Sequence, residues 1–315
     1  MRREKLPEDM GFGEIAEHEV VMFSGKGGVG KTTLSAATAV HLSSMGFRTL
    51  ILTSDPAPSL GDVFGVSVGD RITEVSGNLD ALELSPEAVL KRWKQKFGGE
   101  VYEVLSSLLP VDEGIVDYIG TAPGIDEEFT LDFIFGIVEE GGYERVVWDT
   151  APAGHTLRLL RMPAVFIEHL TQAARVYMRF QDVMSRMRAL TGGSRRSVFD
   201  IIDGWKELSK KLLEFLCSDR VGVVPVCTPQ RMSIAQLYRM LGELQEFGIE
   251  VKRVVVNHVL QDACEHLRAV VEEQRACLSE LEKMLAGKEV LIVPEMPCEV
   301  RGGERLRRLA KLMYG

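Results

Sequence analysis

Short runs of apolar, β-branched residues alternate with longer stretches of helical periodicity along the whole chain. The runs Val20–Ser24, Thr49–Thr53, Arg145–Asp149, Val221–Cys227, Arg253–Asn257 and Val290–Val293 predict strands. Most are apolar at consecutive positions, so both faces are covered, as in strands buried inside a parallel sheet. Helical patterns fill the gaps, notably Lys31–Ser44, Ser233–Phe247 and Glu265–Ala286. This alternation predicts an α/β fold: a doubly wound, mainly parallel sheet with right-handed crossovers.

Two stretches exceed what a crossover needs. About ninety residues separate the second predicted strand from the third, several times the length of one crossover. A second long helical region follows Pro163 and lasts until the strand at Val221. Both read as helical insertions on one side of the sheet, about 83–135 and 163–215, forming a subdomain within a single domain over 1–315. Thr191–Arg196, reading TGGSRR, has the composition of a flexible joint. Within the second insertion Phe166, Leu170, Ala173, Tyr177, Phe180, Met184 and Met187 recur at spacings of four and three, one apolar stripe on a helix. Methionines at 162, 178, 184 and 187 add side chains that repack around varied partners. The stripe fits a core or dimer-contact helix as well as a groove for an apolar client helix. Arg175, Arg179, Arg186 and Arg188 solvate its outer face or attract acidic partners or anionic lipid.

Composition narrows the class. The chain has 315 residues, 45% hydrophobic and 26% charged, enough for a substantial core. Its formal net charge of −9 counts against nucleic acid as a partner. No apolar run reaches the roughly 18 residues that span a bilayer, and the charged N-terminus has no apolar segment of a secretory signal. The five cysteines all lie at or beyond Cys217 and suggest reduced thiols. A cytoplasmic protein, transiently peripheral to a membrane if a partner recruits it, is the expectation.

Val20–Ser24 runs into Gly25-Lys26-Gly27-Gly28-Val29-Gly30-Lys31-Thr32-Thr33 and then directly into a helix. This is G-x-x-x-x-G-K-[ST] in its required strand–loop–helix setting, a phosphate-binding loop. Its glycines let backbone N–H groups turn toward phosphate oxygens, with the positive end of the helix behind them. Lys31 is expected at the β- and γ-phosphates of ATP and the Thr32 hydroxyl on Mg²⁺. The additional Lys26 marks the deviant form of the loop. In that group such a lysine resembles a finger reaching the phosphates held by a facing subunit, so the expected assembly is a homodimer.

Two further segments follow strands. Asp55, in Ser54-Asp-Pro-Ala-Pro-Ser-Leu-Gly-Asp62, is the candidate for orienting the attacking water. The run Val146-Val-Trp-Asp149 is apolar and closed by a carboxylate, which makes Asp149 the second Mg²⁺ candidate. It opens Asp149-Thr-Ala-Pro-Ala-Gly-His155, a candidate γ-phosphate switch with Asp149, Gly154 and His155 as its principal residues and Pro152 as a hinge.

Together these segments resemble the ArsA/GET-type ATPases, the arsenite-pump ATPases and targeting factors for tail-anchored membrane proteins. Similar proteins carry KGGVGKTT, DPAHSLSD and DTAPTGHTLR at these places, and Pro123–Glu127 resembles their PGIDE segment. The resemblance implies that Asn257 recognises adenine, and that Pro294 with Glu299–Gly302 belongs to the loop closing over the base. It covers nearly the whole chain from Val20. It further implies ATP and Mg²⁺ as cofactors, transmembrane helices of client proteins as cargo, and a membrane receptor. Pro58, Ala153 and Gln230 depart from the family's usual His, Thr and, in some relatives, Glu.

Many targeting relatives bind zinc through a C-x-x-C doubled by the dimer. Here the place reads Cys264-Glu-His-Leu267, which cannot supply four thiolates, so zinc is not expected. Arsenite activation needs clustered thiolates, and Ala122 stands where one of them belongs. Two alternatives to client targeting stay open, a metalloid-pump ATPase subunit and a positioning ATPase acting at a membrane surface. The basic, amphipathic Glu304–Met313 stretch keeps the latter in play.

Overall fold

A computed structural model describes residues 15–55, 59–108, 111–122, 124–151, 161–172, 175, 198–261 and 265–315. The chain divides into two compact units, one of Met1–Ser85, Ile137–Leu157 and Cys217–Gly315, the other of Pro86–Gly136 and Arg158–Leu216.

The first unit is built on eight strands: β1 (Val20–Gly25), β2 (Thr49–Thr53), β3 (Thr73–Ser76), β4 (Leu79–Glu83), β5 (Arg145–Asp149), β6 (Val221–Cys227), β7 (Arg253–Val259) and β8 (Glu289–Pro294). They form one sheet in the order β3-β4-β2-β5-β1-β6-β7-β8. Every pairing is parallel except β3 with β4. The expected α/β, mainly parallel sheet is therefore present, with all six predicted strands. The long stretch after β2 is not wholly helical as expected, because it also holds β3 and β4. β3 carries a single apolar residue, Val75, and Asp80 breaks the apolar positions of β4, so neither gives the continuous apolar run of a buried strand. The sequence sign that was missed is the Gly77-Asn78 turn between them, with Gly77 at φ 47°.

Two helices of this unit follow the strands that carry the site. Helix α1 (Lys31–Ser44) follows β1, and α2 (Leu60–Phe64) follows β2. In chain order α3 (Pro86–Leu108), α4 (Gly114–Gly120), α5 (Ile125–Glu139), the helical residues 161–172 (α6) and α7 (Val198–Leu216) come next. Then α8 (Arg231–Glu246), α9 (Arg268–Met284) and α10 (Gly302–Tyr314) complete the first unit. The apolar face of α10 is Leu306, Leu309, Ala310 and Met313, all buried in the core with Leu34 and Ala37 of α1. Its last residue, Tyr314, stacks on His41 at 4.2 Å and shares a 2.6 Å hydrogen bond with the Thr38 hydroxyl. No helix among the described residues is long and apolar enough to cross a membrane.

The second unit takes α3, α4, the body of α5, α6 and α7. They surround an apolar cavity of about 210 Å³ lined by Trp93, Phe97, Phe129, Phe166, Leu170 and Trp205 among others. Phe166 and Leu170 of the predicted stripe thus reach this interior, while Tyr177, Phe180, Met184 and Met187 lie outside the described residues. Glu128 borders the cavity. Its Oε1 accepts a 3.0 Å bond from Ser209, and its buried Oε2 has no partner among the described residues. Burial, opposed by the Ser209 bond and reinforced by the charge of Asp132, pushes its carboxyl up to about 7. A carboxyl raised in the folded state stabilises the fold while protonated. That contribution is complete below the ordinary value near 4.5 and is lost as pH rises through about 7. Glu128→Gln is therefore expected to leave stability at pH 4 nearly unchanged and to raise it at pH 8 by about 3 kcal/mol. Denaturant unfolding of the pair at both pH values checks this.

Candidate functional site

The carboxyl ends of β1, β2, β5 and β7 converge where the strand order changes direction, the usual crevice of an open α/β sheet. The loop from Gly25 to Gly30 leaves β1 there and turns into α1. Gly30 sits at φ 89° in the left-handed region, immediately before the helix. A Cβ at Gly30 would lie 2.3 Å from Asn257 Nδ2, and one at Gly25 would lie 2.3 Å from the Val226 carbonyl oxygen. Glycine is required at both places for conformation or for close approach. Val29 is buried and Gly27 and Gly28 are exposed, while Thr33 lies in the first turn of α1.

Lys31 is 6% exposed, and its ammonium donates to the Lys26 carbonyl at 3.3 Å. Burial pulls its pKa down, against the opposing charges of Asp149 and then Asp55. An ammonium held in the loop beside two carboxylates can shift to bind phosphate oxygens. The Lys26 side chain, by contrast, is exposed.

Asp149 closes β5 and is 1% exposed. Its Oδ2 accepts from the Thr32 hydroxyl at 2.7 Å and from the Thr53 hydroxyl at 3.2 Å. Its Oδ1 is buried with no partner among the described residues. Burial pushes the carboxyl up to about 6, opposed by the Thr32 bond, the Lys31 charge and the Thr53 bond, and reinforced by Asp55. A buried oxygen lacking a donor, next to a hydroxyl and a second oxygen, is the donor set of a hard divalent cation. Asp149 and Thr32 could hold Mg²⁺, and the predicted pair is adjacent. Asp55 stands two residues beyond the end of β2, its backbone N–H donating to the Thr53 hydroxyl at 3.2 Å. Gly154 and His155 lie outside the described residues, as do Pro58, Pro152 and Ala153.

On the other side of the loop, Asn257 is 7% exposed and its Nδ2 donates to the Val29 carbonyl at 2.9 Å. Its amide fastens β7 to the phosphate loop. Pro294 ends β8, paired with Val259. Gln230 is exposed at the start of α8.

Two residues of the site carried no role in the sequence reading. Thr53 is 1% exposed and lies between Asp149 and Asp55. A threonine two positions before a strand-end aspartate was the available signal. His258 has φ 62°, uncommon for a side-chain-bearing residue. Gln274 bonds the backbone on both sides of this turn, at the His258 carbonyl (3.2 Å) and the Leu260 N–H (2.9 Å). The imidazole Nδ1 is 2.7 Å from Glu295 Oε2, and Nε2 would be 3.4 Å from a Cβ at Gly30. No local sequence pattern forecasts this arrangement.

The cysteines are dispersed. Cys217 and Cys298 are exposed, and Cys227 and Cys277 are buried in β6 and α9. Burial pushes the Cys227 thiol up to about 12. Cys264 lies outside the described residues, among which no cluster of three or more metal-ligating side chains occurs.

The family model described as anion-transporting ATPase matches residues 18–315. A Paramecium tetraurelia protein named ATPase ASNA1 homolog 1 is 30% identical over 308 residues, covering 93% of this chain and 91% of its own. The protein named ATPase get3 of Schizosaccharomyces japonicus is 30% identical over 301 residues, with 93% and 91% covered. The ATPase GET3 of Paracoccidioides lutzii is 29% identical over 305 residues, with 93% and 89% covered.

Proposed function

The chain belongs to the anion-transporting ATPase family and is an ATP-hydrolysing enzyme, and from that premise we propose that it is a nucleotide-switched homodimer that captures the transmembrane helix of tail-anchored proteins and delivers it to a membrane receptor. Gly25–Thr33 binds the phosphates, with Lys31 moving from the Lys26 carbonyl to the β- and γ-phosphates. Asn257 and Pro294 border the base. Thr32 and Asp149 would hold Mg²⁺, and the ion would supply charge neutralisation at the transferring phosphoryl group. Asp55 orients the attacking water. Lys26 completes the site of the facing subunit. The segment from Asp149 through Gly154 and His155 transmits the state of the γ-phosphate.

The observation that carries the client half of this reading is the aromatic and aliphatic interior of the helical unit, into which Phe166 and Leu170 project. An apolar volume there suits an apolar occupant better than a polar ligand. The two alternatives lose support. The apolar face of α10 is consumed by packing on α1, leaving it unavailable as a membrane anchor. A soft metalloid needs neighbouring thiolates, and the described cysteines occupy four different segments, with Cys227 held protonated.

The test is co-expression with a protein ending in a single C-terminal transmembrane helix, beside a control whose helix carries added charges. Selective recovery of the apolar tail in a complex, increased when Asp55→Asn slows hydrolysis, is the expected result. Equal recovery of both tails, or of neither in any nucleotide state, would remove the targeting reading and leave the ATPase assignment intact.

A further inference from the structure

We propose that Thr53 is a positioning residue of the ATPase reaction, its hydroxyl fixing the carboxylate that orients water relative to the one that holds the metal. The inference rests on the assignment of Asp55 and Asp149 made above, and adds the element that sets their separation.

The geometry begins with a strand position that does not need a polar group. Thr53 closes β2, the sequence TLILT, where every residue is buried. Valine has the same shape and the stronger claim to such a place on burial grounds. The threonine hydroxyl instead makes two bonds of opposite sense. It donates its only proton to Asp149 Oδ2 at 3.2 Å and accepts the Asp55 backbone N–H at 3.2 Å. One donor and one acceptor site are thus committed, one to each functional aspartate.

Neighbouring contacts keep the hydroxyl from moving independently. The Thr53 carbonyl accepts from the N–H of Leu84, the residue after β4, at 3.0 Å. Ser54 N–H donates to the Asp149 carbonyl at 3.2 Å, and the Ser54 hydroxyl accepts from Trp148 Nε1 at 3.0 Å. Thr53 and Ser54 are therefore pinned to residues 148 and 149 of β5 by side-chain and backbone bonds alike, and Asp55 is held to them through the Thr53 hydroxyl. Thr53 is the member that joins the two carboxylate-bearing residues. Asp149 Oδ2 also receives Thr32, so the metal candidates and the water-orienting candidate share one hydrogen-bond network. Networks of this kind act as a unit, and a displacement of about 1 Å in a reacting group can cost about a hundredfold in rate.

A purely structural threonine, there only to satisfy the buried Asp149 carboxylate, makes a different prediction from a positioning one. Loss of the former weakens metal affinity or stability and is overcome by excess Mg²⁺. Loss of the latter lowers kcat even at saturation. Thr53→Val, Thr53→Ala and Thr53→Ser would be compared with Asp55→Asn in steady-state phosphate release, with Mg²⁺ titrated at saturating ATP and nucleotide affinity measured separately. The expected result is a fall in kcat of about 30- to 100-fold for both Val and Ala, ATP affinity within about threefold of the parent, and recovery by Ser to within about threefold. The Ala chain carries the test if Val fails to fold, and Ser reports on the hydroxyl without the methyl.

Turnover within about threefold of the parent in Thr53→Val or Thr53→Ala would overturn the proposal, as would a loss that excess Mg²⁺ restores. Parent-like turnover in Asp55→Asn would instead overturn the underlying assignment of Asp55. The two failures are seen in different chains, so they cannot be confused.

Discussion

Asp149→Asn is expected to lower ATP turnover by about a hundredfold to a thousandfold while making the nucleotide-free protein harder to unfold. Asparagine keeps the shape of the side chain and can still accept from Thr32 and Thr53 through its carbonyl. What it loses is the charge, and the anionic Oδ1 that lies buried with no partner among the described residues. A metal held by a neutral amide and a hydroxyl neutralises the transferring phosphate less well, which is a loss of several kcal/mol at the transition state. Stability runs the other way. Burial raises the Asp149 carboxyl to about 6, so its contribution to the fold is complete below the ordinary value near 3.8 and is lost as pH rises through about 6. At pH 8 the parent holds a buried charge that the variant lacks. Phosphate release at saturating ATP across a Mg²⁺ series, paired with thermal melts at pH 8 without nucleotide, reads both effects. A variant that melts earlier and turns over normally would remove Asp149 from the metal site.

That opposition explains which parts of the site were legible in the sequence. The phosphate loop is contiguous, and each of its residues acts through its own backbone or its immediate neighbours. Asp149 was legible because a carboxylate closing an apolar run is expensive unless something needs it. Thr53 was not, since a threonine in a strand is ordinary and its meaning comes from Asp149, 96 residues away. Asn257 shows the same limit in another form. The family resemblance pointed to it, yet its bond to the Val29 carbonyl spans 228 residues and follows from the strand order, which no local pattern encodes. The fold divides likewise. Buried parallel strands announce themselves by continuous apolar runs, whereas β3, at the sheet edge, has one apolar position and Asp80 interrupts the apolar positions of β4. In α10 the periodicity was plain, but whether its apolar face met a membrane or the core depended on α1 being there to receive it.

Lys26→Ala is expected to reduce turnover at least about a hundredfold with nucleotide affinity of the isolated chain little changed, and mixing is expected to restore activity. The side chain is exposed on the loop, and only its carbonyl faces inward, where it accepts from Lys31. If the ammonium acts on the facing subunit, a Lys26→Ala chain still has its own Asp55 and lacks only a finger from its partner. An Asp55→Asn chain has the opposite deficiency, with a finger to give and no water-orienting carboxylate of its own. Each homodimer is then inactive. In a heterodimer of the two, the site on the Lys26→Ala chain has Asp55 in place and receives Lys26 from its partner, while the other site lacks both. An equal mixture allowed to exchange subunits contains heterodimers as half of its dimers, each with one competent site of two, so about a quarter of parent activity should return. Activity that stays at the level of the separate variants after exchange would place Lys26 in its own site or out of catalysis. Activity that returns at about a quarter requires both the two-fold dimer and a finger acting across it, because no arrangement within a single chain supplies both missing groups.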